Sequence, residues 1–212
     1  MPSKPRVLIA DDHLLIAELC KKYLENEFEV LGPVTDGRAM VRAAKDEKPN
    51  VIIVDIAMPI LNGLDAGQQV KSAQRGIKLV YLTMNPDPQL AAEAFRRGAS
   101  GYVLKTCAAS ELPIAVRTVL NGRSYISSGL PKHEIEDLVR RDEKWTNHRL
   151  TEREREVLQL LAEGKQMKEI ATILKIATRT VAFHKYRMME VLDVRSNAEL
   201  IRHAVRLHSV AA

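Results

Sequence analysis

Between residues 6 and 122 the chain alternates short apolar runs with stretches whose apolar residues recur at helical spacing. The runs Arg6-Val7-Leu8-Ile9-Ala10, Val51-Ile52-Ile53-Val54, Leu79-Val80-Tyr81-Leu82 and Tyr102-Val103-Leu104 read as strands, and Phe28 to Val34 as a further strand broken by Gly32-Pro33. After Asp12, the residues Ile16, Leu19, Cys20, Tyr23 and Leu24 fall on one helical face. Further helices are expected at 38–48, closed by Pro49, and at about 64–74, 88–97 and 109–121, the last two ending at Gly98 and Gly122. Strands alternating with helices predict an α/β domain with a parallel sheet. The runs at 7–10 and 51–54 are almost wholly apolar, as strands covered on both faces must be.

From Arg123 the pattern lapses. Ser127-Ser128-Gly129-Leu130-Pro131 is loop-like, and residues 132–144 are charge-rich with Ile135, Leu138 and Val139 at helical spacing. This reads as a linker, 123–147, holding one short helix. The pattern restarts with the capping box Thr151-x-x-Glu154, which opens a helix to Ala162, and ends with Ser196-x-x-Glu199, which opens one to about Leu207. Between them, helices at about 166–174 and 178–191 are joined by the tight turn Lys175-Ile176-Ala177. Four helices with such a turn at their centre read as a helix-turn-helix unit. The expected division is 5–122, the linker, and 148–209.

Composition adds limits. The chain has 212 residues, 46% of them hydrophobic and 28% charged, enough for two small globular domains. No apolar run approaches the roughly 20 residues of a membrane span, so a cytoplasmic protein without membrane contact is expected. Two cysteines make no disulfide framework; Cys20 lies on an apolar stripe and is expected in a core. The six histidines form no compact zinc pattern. The net charge of +5 is uneven: residues 145–212 hold 12 Lys+Arg against 8 Asp+Glu, which points that segment at a polyanion.

The chemistry sits where the strands end. Parallel sheets carry their sites at the carboxyl ends of strands. There the four runs lead into Asp11-Asp12, Asp55, Thr83 and Lys105. Asp12 and Asp55 suit a hard cation such as Mg²⁺, with Asp11 reaching it through water. Asp55 is the candidate nucleophile toward a phosphoryl group, Lys105 can pair with the transferred oxygens, and Thr83 can donate to them. A phosphatase of the haloacid dehalogenase type also uses an aspartyl nucleophile. It needs a second Asp two residues on as general acid, where this chain has Ala57.

Asp11-Asp12, Asp55-Ile56-Ala57-Met58-Pro59-Ile60-Leu61-Asn62-Gly63-Leu64, Thr83 and Gly98-Ala99-Ser100-Gly101-Tyr102-Val103-Leu104-Lys105 together resemble the receiver domain of two-component response regulators. Leu150-Thr151, Arg153 to Leu158, Glu163-Gly164, Lys168-Glu169-Ile170-Ala171, Thr180-Val181, His184 and Ala198-Glu199-Leu200 resemble the helix-turn-helix domain of the LuxR/NarL type. The resemblance implies a doubly wound, flavodoxin-like five-stranded parallel sheet followed by an all-α four-helix domain. It implies Asp55 as phosphoacceptor for a sensor histidine kinase, and Mg²⁺ held by Asp11, Asp12, Asp55 and the Ala57 backbone carbonyl. Thr83, Lys105 and Tyr102 are then the switch residues, Tyr102 swinging inward as Thr83 moves. Catalysis would be limited to Mg²⁺-dependent self-phosphorylation and autodephosphorylation. The implied partners are double-stranded DNA, bound as a homodimer, and RNA polymerase. A C-terminal domain acting through protein contacts is the alternative.

For DNA, the helix from about Thr178 would enter the major groove. Thr178, Arg179, Thr180, Ala182, Phe183, Lys185, Tyr186 and Arg187 are the candidate contacts, with Arg179, Lys185 and Arg187 suited to phosphates. Val181 and Met188 are expected in the core, and His184 reads better as an inward structural residue than as a contact. The chain departs from the family pattern at Gln166-Met167, at Ala182, at Val191 and Asp193, and at Lys175, where a glycine usually makes the turn and a left-handed residue is therefore expected.

Overall fold

The computed structural model describes residues 4–140 and 150–206. Strands β1 (Arg6–Ala10), β2 (Glu29–Val34), β3 (Val51–Asp55), β4 (Lys78–Thr83), β5 (Gly101–Leu104) and β6 (Tyr125–Ile126) form one parallel sheet in the order β2-β1-β3-β4-β5-β6. Helices α1 (Leu14–Leu24) and α5 (Ala108–Leu120) cover one face; α2 (Gly37–Glu47), α3 (Gly63–Ala73) and α4 (Pro88–Arg96) cover the other. Alternation along the strands divides the core accordingly. Leu8, Ile52, Val54, Leu79 and Tyr81 meet α2, α3 and α4, while Val7, Ile9, Val51, Ile53, Val80 and Leu82 meet α1 and α5. This two-sided burial is why the runs carry almost no polar residue. Cys20 is buried in the α1 side, where desolvation pushes its thiol up to about 12.

Two expectations need correction. Gly32-Pro33 does not break the second strand. Leu8 pairs with Leu31 and Ala10 with Val34, so β2 passes through those residues as a bulge. Gly32 has φ +91°, and a Cβ there would lie 2.8 Å from the Ile9 carbonyl oxygen. Glycine is therefore what lets the strand continue. The second correction is a sixth strand drawn from the expected linker. Tyr125 pairs with Gly101 and Ile126 with Tyr102. Ser127 Oγ, Ser128 Oγ and the Ser128 N–H (3.0 Å) all donate to the buried Glu111 carboxylate of α5. The expected linker helix is present as α6 (Lys132–Arg140). It packs against α4, with Ile135 fully buried and Leu138 and Val139 at the edge of the same cluster. The boundary expected at 147–148 and the end at 209 lie outside the described residues.

Helices α7 (Glu152–Ala162), α8 (Met167–Leu174), α9 (Thr178–Val191) and α10 (Asn197–Arg206) enclose a separate core of Leu150, Val157, Leu158, Leu160, Ile170, Leu174, Val181, Met188, Leu200 and Ala204. Thr151 and Glu154 form the expected reciprocal cap. The second cap is altered: Ser196 Oγ accepts from the Glu199 N–H, but Glu199 reaches back to the Arg195 N–H. Lys175 is left-handed at φ 54°, as its turn position requires.

Candidate functional site

The sheet order reverses between β1 and β3, because the chain runs outward from β1 to β2 and then returns to β3 on the other side. Sites form at such a switch point. Ala10 is paired with Val54, so the next residues, Asp11 and Asp55, leave the sheet side by side. Both are buried. Thr83 is paired with Leu104, which brings Lys105 to the same edge. The Lys105 ammonium reaches both carboxylates, Nζ lying 2.9 Å from Asp55 Oδ2 and 2.8 Å from Asp11 Oδ2. Asp12 is half-buried beside them.

The electrostatics follow from that packing. Burial raises the Asp55 carboxyl above its usual range; Lys105 opposes this and Asp11 adds to it. Burial alone would lower Lys105, but Asp55 and Asp11 outweigh it and hold the ammonium above its usual value. Three carboxylates against one ammonium leave a surplus of negative charge. Donor oxygens of Asp11, Asp12 and Asp55, together with a ring nitrogen of His13, lie within 4.8 Å of one another. Hard oxygen donors with unneutralised charge fit a divalent cation such as Mg²⁺. His13, whose Nδ1 is 3.0 Å from Asp12 Oδ1, was not legible as a neighbour of the pocket; only its adjacency to Asp11-Asp12 hinted at it.

Thr83 is buried and its Oγ1 accepts from the Asn85 N–H at 3.1 Å. Tyr102 is fully buried, its hydroxyl donating to the Asn85 carbonyl at 3.0 Å, so the ring is already in the inward position. Ala57 N–H points back at Asp55 Oδ1 at 3.4 Å. Gly63, at the start of α3, sits where a Cβ would be 2.1 Å from the Asp55 carbonyl oxygen. The loop 56–62 can therefore return tightly against the end of β3.

On α9, Val181 and Met188 are fully buried, and the opposite side carries the candidate contacts. Thr178, Arg179 and Arg187 are exposed, and Phe183 and Tyr186 are 61% and 65% exposed, too open for core residues. Thr180, Ala182 and Lys185 are half-buried, and Lys185 Nζ lies over the Tyr186 ring at 5.5 Å. Arg187 Nε also lies 3.3 Å from Glu154 Oε1, a buried carboxylate of its own unit. His184 is half-buried, its ring edge-on to Phe183.

Sequence reading missed a polar seam between the two units. Asp65 Oδ1 on α3 accepts from Arg97 at 2.8 Å and from Arg155 Nε on α7 at 2.7 Å, all three largely buried. Arg38 Nη2 lies 3.2 Å from Glu156, and Gln69 donates to Glu156 at 3.1 Å. Gln159 and Glu163 reach the loop 56–62. The available signal was that Arg155, Glu156 and Gln159 make one side of α7 polar, which alone indicates a solvated face.

Residues 7–117 match the response regulator receiver domain, and residues 148–204 match the bacterial regulatory proteins of the luxR family. The chain is 32% identical over 210 residues to the oxygen regulatory protein NreC of Staphylococcus haemolyticus, spanning 95% of this chain and 97% of that one. Among solved structures, the RcsB response regulator of Salmonella typhimurium is similar, with a TM-score of 0.63, at 27% identity over 95% of this chain and 96% of that chain. RcsB of Salmonella enterica serovar Typhimurium, bound to a promoter in the presence of the phosphomimetic BeF3-, matches with a TM-score of 0.61 at 27% identity, over 99% of this chain and 100% of that chain.

Proposed function

Because the chain belongs to the response regulators that join a receiver domain to a luxR-type DNA-binding domain, and is thus a phosphorylation-dependent regulator of transcription, we propose that Asp55 is its phosphoacceptor. The observation that carries this is the bridging of Asp55 and Asp11 by Lys105 at the switch point. A carboxylate oxygen of Asp55 forms the new bond to phosphorus as the bond to the donor, a phosphohistidine of a sensor histidine kinase, breaks. Asp11, Asp12, Asp55 and the Ala57 carbonyl would hold Mg²⁺, which would screen the charge between the carboxylate and the incoming phosphoryl group. Lys105 exchanges part of its pairing with Asp55 for the phosphoryl oxygens, and the Thr83 hydroxyl donates to another. The inward Tyr102 then keeps the space behind Thr83 filled.

The dianionic phosphoryl group, which replaces the single charge of the carboxylate, biases the receiver toward the state in which the C-terminal unit acts on DNA. Arg179, Phe183 and Tyr186 form its reading surface, with Thr178, Thr180, Ala182 and Lys185 around them. Ile201 and Val205 of α10 are exposed and one turn apart, an apolar stripe suited to a second copy on DNA. Among the described residues no helix is long and apolar enough to cross a membrane. Acetyl phosphate with Mg²⁺ should add about 80 Da, one phosphoryl group, to the full chain and none to Asp55→Asn. Equal labelling of that variant would overturn the assignment.

A further inference from the structure

We infer that Gln159, on α7 of the DNA-binding unit, and Glu163, at the C-terminal cap of that helix, restrain phosphoryl transfer at Asp55 by holding the loop that follows it. The inference rests on the reading of Asp55 given above and adds a direction to it: the effector unit sets the reactivity of the receiver.

The loop 56–62 has two ends with different owners. Its first part belongs to the pocket, where Ala57 returns its N–H to Asp55 Oδ1. Its second part is held from α7. Gln159 Nε2 donates to the Met58 carbonyl at 3.0 Å, and Gln159 Oε1 accepts from the Asn62 N–H at 2.7 Å. Glu163 Oε1 accepts from the Ile60 N–H at 2.8 Å and from Gln159 Nε2 at 2.8 Å, which ties the two side chains into one clamp. Gln159 is buried, so these bonds are shielded from water.

The clamped backbone is strained. Ile60 has φ +69°, a left-handed conformation that a β-branched residue rarely adopts. Its side chain packs against the apolar cluster of the C-terminal unit. Both the hydrogen bond and the apolar cover that offset this strain therefore come from the effector. If α7 leaves, Met58, Ile60 and Asn62 lose these partners together, and the loop is free to relax. Met58 is bonded directly to Ala57, so relaxation reaches the pocket through one peptide. The docked arrangement also leaves Phe183 and Tyr186 open, so docking does not restrain the protein by covering its reading face. Coupling between sites is reciprocal. If phosphorylation at Asp55 weakens docking, then loosening the clamp favours phosphorylation.

The test uses the full chain with Mg²⁺ and sub-saturating acetyl phosphate. The phosphorylated fraction is read by intact mass, Mg²⁺ affinity by calorimetric titration without phosphodonor, and folding by thermal melting. Gln159→Ala and Glu163→Ala should raise the ratio of phosphorylated to unphosphorylated protein about five- to tenfold, within the usual range of such couplings. Mg²⁺ affinity should change along with it. Gln159→Glu, which sets a carboxylate against the Met58 carbonyl and Glu163 Oε1 in place of the donor, should raise the ratio at least as far as Gln159→Ala. An unchanged ratio in folded variants overturns the inference. So does a lowered ratio, since the clamp would then complete the pocket instead of restraining it. Should Gln159→Ala fail to fold, Glu163→Ala decides alone. Failure of the wild-type chain to label at all would instead overturn the assignment of Asp55.

Discussion

Replacing Arg155 by methionine should separate the two units without unfolding either. Arg155 Nε donates to Asp65 Oδ1 at 2.7 Å across the seam, and its Nη1 donates to the Leu150 carbonyl at 2.8 Å within its own unit. Removing one partner of a buried pair costs most when the other charge is left alone, about 3–5 kcal/mol. Asp65 would not be alone. Arg97 remains 2.8 Å from Oδ1, and Asn62 Nδ2 remains 2.9 Å from Oδ2. The loss is then nearer that of one hydrogen bond to a charged group, about 2 kcal/mol, while the methionine keeps the aliphatic volume. At 1.4 kcal/mol per tenfold change, that is roughly a thirty-fold increase in the open population. The readout is amide hydrogen exchange of the segment 56–63, because the Ile60 and Asn62 N–H groups are protected by Glu163 and Gln159 of the partner unit. Their exchange should rise by about that factor where opening is fast and reversible, while amides in the core of α8 and α9 stay as they were. Unchanged protection at Ile60 and Asn62 would refute the reasoning, because it would mean that Asp65 and Arg155 contribute nothing to docking.

Phe183→Ala should relax discrimination at one or two A·T positions and cost about 1–3 kcal/mol of DNA binding. Its exposure leaves the melting temperature unchanged; a binding-site selection returning the wild-type motif, with a lowered melting temperature, would assign it to the core instead. Arg179→Ala should weaken all sequences alike and flatten the salt dependence by about one unit. Docking of β6 should be acid-sensitive. Burial alone would raise Glu111, but donation from Ser127 and Ser128 outweighs it and holds the carboxyl below its ordinary 4.5. That stabilisation is complete above 4.5 and is lost as pH falls through the lowered folded value. The Ser128 amide resonance should report the loss, and Glu111→Gln should remove its pH dependence.

What could be read from the chain was whatever depends on strand ends. Asp11, Asp55, Thr83 and Lys105 each follow an apolar run, and a parallel sheet sends the ends of such runs to one edge. Four separate residues therefore converge without any knowledge of tertiary contacts. The left-handed turn at Lys175 was legible through the resemblance alone, because Lys175 stands where the family usually has a glycine. Strand β6 was hidden because two residues, Tyr125 and Ile126, are too short to show alternation, and their pairing with Gly101 and Tyr102 is set by Glu111 far away in sequence. Gly32-Pro33 misled because both residue types end strands more often than they bulge them.

The seam between the units was hidden for a deeper reason. A helix that buries one stripe in its own core and shows polar residues elsewhere is indistinguishable in sequence from a helix at a free surface. Helix α7 has that pattern, yet Glu154, Arg155, Glu156 and Gln159 are all buried. Glu154 is taken by Thr151 and Arg187 of its own unit, but the partners of Arg155, Glu156 and Gln159 are spread over the receiver at Asp65, Gln69, Arg38 and the backbone of loop 56–62, so no local spacing records them. An apolar seam would have been visible as an extra stripe, and it would also have been hard to open. Polar groups that are satisfied by each other when docked can be satisfied by water when apart, so the free-energy difference between the two arrangements is small compared with the contact area. A charge added at Asp55 can then tip the balance. The feature that leaves the seam unreadable in the sequence is the same one that suits it to regulation by a single phosphoryl group.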